Sequence, residues 1–330
     1  MIVTIVGLGR TGCSLGLALG GEGKGLRRVG HDREFSKTKE ARKVGAIDDW
    51  ALNIHQAVRE ADVVFLTIPF DQMRTTLQEI AEDLKEGAVL IELSPAKQQV
   101  SGWASEVLPA GRYYVGWNPA INPAYLQIRE RDHRAARKDY FHRGVVAITA
   151  AQGTPRWVID RVSSLARKIG AEPLFADKTE MDGVLAEAQT IPQLLSALMV
   201  YTLTRQSGWR EARKFAAQEF WEMGLPTVYS ISPTELSHLL LANRALVGRL
   251  LDELLNVLVE WRQKIEDGAI EELRQCLSES QRCFEQWQEE RMAADWLAGE
   301  SGLPYKDLPT SKDVLGQIVG LRNWPWHRKR

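Results

Sequence analysis

"VGLGRTGCSLGLAL", residues 6–19, places three glycines between an apolar strand pattern and an apolar helix pattern. Gly7, Gly9 and Gly12 have the spacing G-x-G-x-x-G, and the preceding strand is "IVTIV", residues 2–6. Gly7 permits a tight turn, Gly9 lets the backbone approach a pyrophosphate, and Gly12 lets the helix pack closely on the strand. The free N–H groups at the helix start attract the anion. The predicted dinucleotide-binding loop consists of Gly7, Leu8, Gly9, Arg10, Thr11 and Gly12.

Asp32 lies twenty residues after Gly12, just beyond the second predicted strand. A carboxylate at this place accepts hydrogen bonds from the adenosine ribose hydroxyls and repels a 2′-phosphate, which favours NAD. Arg33 follows directly and, with Lys37 and Lys39, offsets part of that repulsion, so NADP remains possible. The end of the third predicted strand adds three residues along the cofactor path, Ile68, Pro69 and Phe70.

Short β-rich apolar runs alternate with helical patterns through the first half of the chain. The predicted strands cover residues 2–6, 26–31, 62–68, 88–93, 113–117, 145–149 and 172–176. Helical patterns at 73–85 and 155–170 lie between strands. Near-continuous apolar strands separated by helices are typical of a parallel sheet covered on both faces. The sequence therefore predicts a Rossmann-type, doubly wound α/β domain over residues 1–176.

The pattern changes after residue 176, because no convincing strand follows and the apolar residues recur at helical spacing. Apolar residues repeat every three or four positions from Leu236 to Trp261, which predicts one long helix that ends at Gly268. A second helix is predicted through about Leu297. The apolar stripe is wider than one small helical domain covers alone, so we predict a homodimer. The predicted parts are a helical dimerisation and substrate domain, 177–298, and a C-terminal extension, 299–330.

The composition argues against several classes of protein. The 42 basic and 43 acidic residues give a net charge of −1, so no overall charge draws the chain to nucleic acid or to an anionic membrane. Three cysteines cannot all pair and lack metal-ligand spacing, which predicts a reducing cytoplasm and no metal site. No apolar stretch reaches the length of a bilayer span, and the N-terminus does not resemble a signal peptide. The predicted partner is a small-molecule substrate.

Seven segments carry a resemblance to a known family. They are "VGLGRTGCSLGLAL", "VGHD", "ADVVFLTIP", "LIELSPAK", "YYVGWNP", "MDGVLAEAQTIPQLLSAL" and "SPTELSHLLLANRALV", in this order over roughly residues 1–290. The chain resembles the prephenate/arogenate dehydrogenase family, which makes the tyrosine precursor by NAD(P)-linked oxidative decarboxylation. The resemblance implies an NAD(P)-dependent dehydrogenase with a nucleotide domain followed by an all-helical dimerisation domain.

Two active-site motifs of the family differ in the nucleotide domain. The family's Asp-x-Gly-Ser-x-Lys reads "ELSPAK" here, with Glu92, Ser94, Pro95 and Lys97, and Pro95 stands where the family has its serine. The family's His-Pro reads Asn118-Pro119. The resemblance places Lys97 and Asn118 at catalytic positions, and Ser94, beside the family's serine position, is the third catalytic candidate. An amide at Asn118 holds a substrate oxygen but has no accessible pKa, so water, Lys97 or His133 must carry the proton.

The expected substrate-binding residues differ as well. The family's helical Ser-His-x-Pro-His reads "QTIPQ", which places Gln189 and Gln193 beside the substrate. The family also supplies a carboxylate-binding arginine before the long helix, but no lysine or arginine lies between Lys214 and Arg244. The basic segment 125–143 offers Arg129 as a replacement clamp, because guanidinium forks suit carboxylates. The alternative is a solvated surface segment with alternating charges.

Two further hypotheses follow from these differences. Glu219 and Glu222 stand where a cation is expected, which favours a different small substrate that carries an amine. A chain without the family's catalytic histidine is also compatible with a non-catalytic, nucleotide-sensing homologue. This homologue would bind NAD without hydride transfer.

Overall fold

The computed structural model describes residues 1–20 and 25–294, so the predicted extension 299–330 lies outside the described residues. The strands are β1 (Ile2–Val6), β2 (Arg27–His31), β3 (Asp49–Trp50), β4 (Val63–Leu66), β5 (Val89–Glu92), β6 (Tyr113–Pro119), β7 (Gly144–Ala150) and β8 (Ala171–Phe175). They form one sheet in the order β3-β2-β1-β4-β5-β6-β7-β8. The seven predicted strands are confirmed, and the two-residue β3 is additional.

Helices cover the sheet in the first domain, and the described residues after β8 are helical without strands. Those of the first domain are α1 (Arg10–Leu19), α2 (Phe35–Lys43), α3 (Ile54–Arg59), α4 (Phe70–Ile80), α5 (Lys97–Val107) and α6 (Arg156–Lys168). Those that follow are α7 (Lys178–Leu185), α8 (Ile191–Thr204), α9 (Trp209–Ala212), α10 (Gln218–Tyr229), α11 (Pro233–Ala242), α12 (Arg244–Glu266) and α13 (Ile270–Ala293). Within residues 1–20 and 25–294, none of these helices is both long and apolar enough to cross a bilayer.

The central strands are buried because helices cover both faces of the sheet. Every residue of β4 and β5 is buried. Leu15 of α1 and Val162 of α6 join the core on one face, while Leu77 of α4 and Val100 of α5 join it on the other. Each buried aliphatic side chain contributes about 1.5–3 kcal/mol. The predicted doubly wound α/β class is therefore confirmed.

The sheet is mainly parallel, as predicted, and departs from this arrangement at one strand pair. β7 runs antiparallel to β6, and β8 runs parallel to β7. A parallel neighbour needs a crossover that returns the chain to the opposite end of the sheet. The connection 120–143 contains only two short 3₁₀ turns, Pro123–Tyr125 and His133–Ala135. It therefore stays at the edge where β6 ends, beside the start of α1.

The prediction of one long helix from Leu236 to Trp261 was also wrong. Asn243, with φ −105° and ψ 23°, separates α11 from α12. Its amide Nδ2 lies 3.5 Å from the carbonyl oxygen of Pro95, so the break coincides with a contact to the first domain. Gly268 has φ +67° and follows the end of α12, as predicted. The predicted second helix is α13, and Leu297 lies outside the described residues.

Candidate active site

The glycine-rich loop has the geometry that its sequence predicts. Gly7 has φ +95°, and its N–H donates to the carbonyl oxygen of His31 at 2.9 Å. A Cβ on Gly12 would lie 2.0 Å from the Gly7 carbonyl oxygen and 2.6 Å from Thr67 Oγ1. Only glycine fits at this position, because α1 packs directly against the turn. The start of α1 consequently lies directly against the glycine-rich loop.

Asp32 holds the loop in place from the end of β2. One carboxylate oxygen accepts the N–H of Leu8 at 2.8 Å, and the other accepts the N–H of Glu34 at 2.9 Å. Lys37 forms an ion pair with Glu34 at 2.7 Å, so the Lys37 charge is already paired within the same segment. Asp32 thus has a scaffold role in addition to the ribose contact expected from the sequence.

Residues 128–131, here called the strap, lie over the start of α1. The N–H of Arg10 donates to the carbonyl oxygen of Arg131 at 2.7 Å. The Arg10 guanidinium donates to the carbonyl oxygens of Ile128 and Glu130 at 2.8 and 3.0 Å. The strap therefore brings Arg131 to the cleft beside the glycine-rich loop, whereas Arg129 is exposed and outside it.

A cleft of about 780 Å³ runs over the carboxyl ends of the central strands and reaches the helical domain. The residues expected from the sequence that line it are Gly7, Gly9, Arg10, Thr11, Gly12, Asp32, Arg33, Ile68, Pro69, Ser94, Gln189 and Gln193. Five other expected residues do not line it, namely Leu8, Phe70, Lys97, Asn118 and Arg129. Leu8 is completely buried, and Phe70 stacks on Trp103 with 5.4 Å between ring centroids.

A buried polar cluster lies beneath the cleft at the end of β5. Glu92 accepts the hydroxyl of Ser94 at 2.6 Å, the ammonium of Lys97 at 2.7 Å and the hydroxyl of Tyr114 at 2.9 Å. Burial lowers the pKa of Lys97, and the facing Glu92 carboxylate opposes this change. Burial raises the pKa of Tyr114 well above its ordinary value, so its phenol stays a donor. Lys97 is thus an internal partner of Glu92 and does not contact the cleft.

Asn118 lies at the end of β6, one strand farther along the sheet. Its Nδ2 donates to the carbonyl oxygen of Leu93 at 3.2 Å, which ties β6 to the end of β5. Its Oδ1 is buried and has no hydrogen-bond partner among the described residues. His133, the alternative base, lies 3.9 Å from Glu40 and does not line the cleft.

The helical domain closes the other side of the cleft. Gln189 belongs to a π-helical segment, Ala186–Thr190, and its carbonyl oxygen accepts the Gln193 amide at 2.8 Å. Sequence reasoning gave no role to Glu235, which lines the cleft and accepts the Phe70 N–H at 3.0 Å. Burial raises the pKa of Glu235. The helix-start pattern Ser-x-x-Glu at 232–235 marks this residue, but its direction toward the cleft is a tertiary feature. Glu219 and Glu222 lie outside the cleft.

Comparison with known proteins places both domains. Residues 15–174 match the family model described as "Prephenate dehydrogenase, nucleotide-binding domain", and residues 177–279 match "Prephenate dehydrogenase, dimerization domain". The chain is similar to the prephenate dehydrogenase of Bacillus subtilis, with 27% identity over 266 residues, 80% of this chain and 68% of that protein.

Two solved structures show the same fold at low identity. Prephenate dehydrogenase from Aquifex aeolicus, in complex with hydroxyphenyl propionate and NAD⁺, gives a TM-score of 0.75 at 19% identity, over 87% of this chain and 98% of that one. Synechocystis arogenate dehydrogenase gives 0.68 at 18%, over 87% of this chain and 100% of that one. With both domain models matched in order along its length, the chain belongs to the prephenate dehydrogenase family.

Proposed function

We propose that the protein is an NAD-dependent dehydrogenase that oxidatively decarboxylates prephenate or arogenate. The observation that carries this proposal is a single cleft that joins the glycine-rich loop to Ser94, Gln189, Gln193 and Arg131. One end suits a dinucleotide, and the other combines amide, hydroxyl and guanidinium groups for a small anion. Family membership supplies the reaction class.

The residues present fit a dinucleotide. Gly12 fills a place where a Cβ would collide with the loop. The strap takes the N–H of Arg10, and the later N–H groups of the first turn of α1, which have no partner within the helix, are the ones that suit a phosphate. Gly7 to Gly12 hold the pyrophosphate, Asp32 accepts from the ribose, and Ile68 and Pro69 border the path to the reacting ring. A nicotinamide held there would supply the hydride acceptor for the carbon that bears the substrate hydroxyl. Asp32 and the Lys37–Glu34 pair favour NAD over NADP.

The substrate lies between the end of β5 and the helical domain in this proposal. Arg131 takes the clamp role expected of Arg129, because it is the strap arginine that lines the cleft. Gln189 and Gln193 offer amide groups to the ring substituents. Lys97 and Asn118 act from behind the cleft, Lys97 by holding Glu92 and Asn118 by fixing the end of β6.

Arogenate is the candidate that a specific observation favours. It carries an ammonium group where prephenate carries a keto group, and Glu235 is a carboxylate in the cleft wall. The stretch between Lys214 and Arg244 adds no lysine or arginine, so the cleft cation that acts on the Glu235 carboxylate comes from the strap, at Arg131. A carboxylate within about 4 Å of an ammonium group attracts it by about 4 kcal/mol at an effective dielectric near 20.

Turnover assays test the function directly. The purified protein is incubated with prephenate and with arogenate, each with NAD⁺ and with NADP⁺, and reduced cofactor is followed by absorbance. We expect saturable NAD⁺ reduction, with higher kcat/KM on arogenate. Binding of NAD⁺ without turnover of either substrate would leave a nucleotide-sensing homologue or an enzyme for another amine substrate.

The homodimer is also a proposal, supported by exposed apolar residues in a domain that matches a dimerisation model. Leu255 and Leu258 of α12 are 57% and 64% exposed. Leu255→Glu with Leu258→Glu should weaken the dimer about 10²-fold, because each leucine removed from an interface costs about 1.5 kcal/mol or more. Light scattering after gel filtration measures the change. Leu52→Glu, at a 70% exposed leucine of the first domain, is the matched control and should leave the dimer intact.

The domain division and the compartment complete the proposal. The match to the nucleotide-binding model ends at residue 174, and the match to the dimerisation model begins at residue 177. Both support a domain boundary at 176/177. The boundary at 298/299 rests on the sequence pattern. Three free cysteines support the cytoplasm as compartment.

A further inference from the structure

Ser94 connects the buried Glu92–Lys97–Tyr114 cluster to the cleft, because it binds Glu92 and lines the cleft. Its Oε2 accepts both the N–H of Ser94 at 2.7 Å and the Ser94 hydroxyl at 2.6 Å. Its Oε1 accepts from Lys97 and from Tyr114. Glu92 and Lys97 are completely buried, and Ser94 is the member of this cluster that lines the cleft. The cluster is therefore a hydrogen-bonded path from the cleft to a buried carboxylate.

The Ser94 hydroxyl keeps lone pairs that can accept a hydrogen bond from a ligand in the cleft that Ser94 lines. A hydroxyl has one donor hydrogen and two acceptor lone pairs, and the hydrogen of Ser94 is directed to Glu92. Pro95 disfavours the α conformation of the residue before it, and the Ser94 N–H bond to the same carboxylate oxygen fixes the side chain further. A ligand hydroxyl at this point of the cleft thus meets an oriented acceptor.

Other candidate bases are less well placed. Of the described residues that line the cleft, the only histidine is His31, whose Nδ1 lies 3.0 Å from the Ala51 carbonyl oxygen at the ribose end. Glu235 binds the backbone at the start of α4. Ligands of doubly wound sheets bind outside the carboxyl ends of the strands, and Ser94 lies two residues after the end of β5.

The geometry points to Ser94 as the group that takes the proton of the substrate hydroxyl, while Glu92 receives the original proton of Ser94. This relay rests on the proposed function, in which a hydride with its electron pair leaves the same carbon for the nicotinamide. The substrate O–H bond breaks as an O–H bond forms on Ser94 Oγ. The old Ser94 O–H bond breaks as Glu92 Oε2 gains a proton, and the carbon–oxygen bond becomes a carbonyl.

The second half of the reaction restores the relay. When carbon dioxide leaves, the electron pair of the broken carbon–carbon bond aromatises the ring and reaches the same oxygen. The proton then returns from Glu92 through Ser94 and forms the phenol hydroxyl. No proton has to reach solvent in this cycle, which fits a carboxylate that is completely buried. The Lys97 ammonium lies 2.7 Å from Glu92 Oε1 and forms a buried ion pair with this carboxylate.

A pair of ligands tests the acceptor without turnover. We use 3-(4-hydroxyphenyl)propionate and 3-phenylpropionate, which differ only in the hydroxyl, and measure their affinities by calorimetry with NAD⁺ present. The wild-type protein should prefer the hydroxylated ligand about tenfold, the value of one buried hydrogen bond. Ser94→Ala should lose this preference and keep its affinities for 3-phenylpropionate and NAD⁺. Ser163→Ala, at a buried serine of α6, is the matched control and should keep the preference.

Kinetics then test the proton transfer. Ser94→Ala should lower kcat about 10²-fold or more, with KM for NAD⁺ unchanged. The double variant Glu92→Gln with Lys97→Met removes both buried charges together and keeps an acceptor for the Ser94 hydroxyl. It should retain the ligand preference but lose kcat to a similar extent. The single variant Glu92→Asp keeps a carboxylate at this position, so its kcat should fall less than that of the double variant.

Several results would overturn the relay. One is a Ser94→Ala protein that still prefers the hydroxylated ligand, and another is full kcat in the Glu92/Lys97 double variant. Loss of both readouts in Glu235→Gln, with Ser94→Ala unaffected, would make Glu235 the acceptor instead. A wild-type protein inactive on prephenate and arogenate would refute the proposed function, whereas an active wild type with an unimpaired Ser94→Ala would refute the relay alone.

Discussion

The two ends of the cleft are built from different materials. At the dinucleotide end, the site is formed by backbone groups and by glycines that lack a side chain. Gly7 makes the tight turn, and Gly12 allows the close packing of α1. At the substrate end, polar and charged side chains of differing burial converge from the end of β5, from the segment 186–190 with α8, and from α11. The first kind of site depends on local spacing, and the second depends on how distant elements pack.

This difference explains what the sequence predicts at the dinucleotide end. One strand–turn–helix–strand unit within residues 2–32 contains the loop and Asp32, so its chemistry follows from spacing alone. The strap shows the limit. The sequence indicates a basic segment near the cleft, but the arginine that lines it is Arg131 instead of Arg129. An irregular segment has no fixed side-chain period, so its sequence does not reveal which residue faces inward.

At the substrate end, the sequence indicates positions better than roles. Ser94 and Lys97 lie close together in the chain, yet Ser94 lines the cleft and Lys97 is completely buried. The turn between β5 and α5 directs Lys97 back onto Glu92, a contact that no periodicity predicts. Glu235 reaches the cleft from α11, far along the chain. Strand direction is equally hidden, since an apolar strand such as β7 has the same pattern in either orientation.

Gly12→Ala is the strongest way to break the dinucleotide end. The new Cβ would approach the Gly7 carbonyl oxygen to 2.0 Å, and backbone on both sides leaves little room to relax. We expect a loss of about 3 kcal/mol in the free energy of unfolding and loss of NAD⁺ binding. Thermal unfolding and fluorescence titration measure these effects.

Gly102→Ala is the matched control for this change. Gly102 lies within α5, and a Cβ there meets nothing within 4 Å. Alanine should raise the free energy of unfolding by about 0.5–1 kcal/mol, because glycine weakens a helix interior. Normal NAD⁺ affinity in Gly12→Ala would show that the loop is not the dinucleotide site.

Asp32 offers a smaller change at the same end that separates scaffold from recognition. Asp32→Asn keeps an acceptor for the N–H of Leu8 or Glu34 but removes the charge. NADP⁺ affinity relative to NAD⁺ should rise about tenfold, since the repulsion of a 2′-phosphate is lost. Asp32→Ala also removes the loop contacts, so NAD⁺ affinity should fall by a further tenfold or more. Equal losses for both cofactors in both variants would mean that Asp32 serves only the loop.

The smallest expected effect belongs to the substrate end and is a difference in pH dependence. Because burial raises the pKa of Glu235, the folded state binds its proton more tightly than the unfolded chain does. Stability from this group is complete at low pH and is lost as pH rises through the raised pKa.

Glu235→Gln still offers a carbonyl to the Phe70 N–H but does not titrate. The variant should therefore gain stability relative to wild type as pH rises above the ordinary range of a glutamate carboxyl, as followed by thermal unfolding. Glu219→Gln, on the exposed surface of α10, is the control and should show a constant difference. A difference that is also constant for Glu235→Gln would mean that the Glu235 carboxyl is solvated and that the cleft is wetter at this end than its geometry indicates.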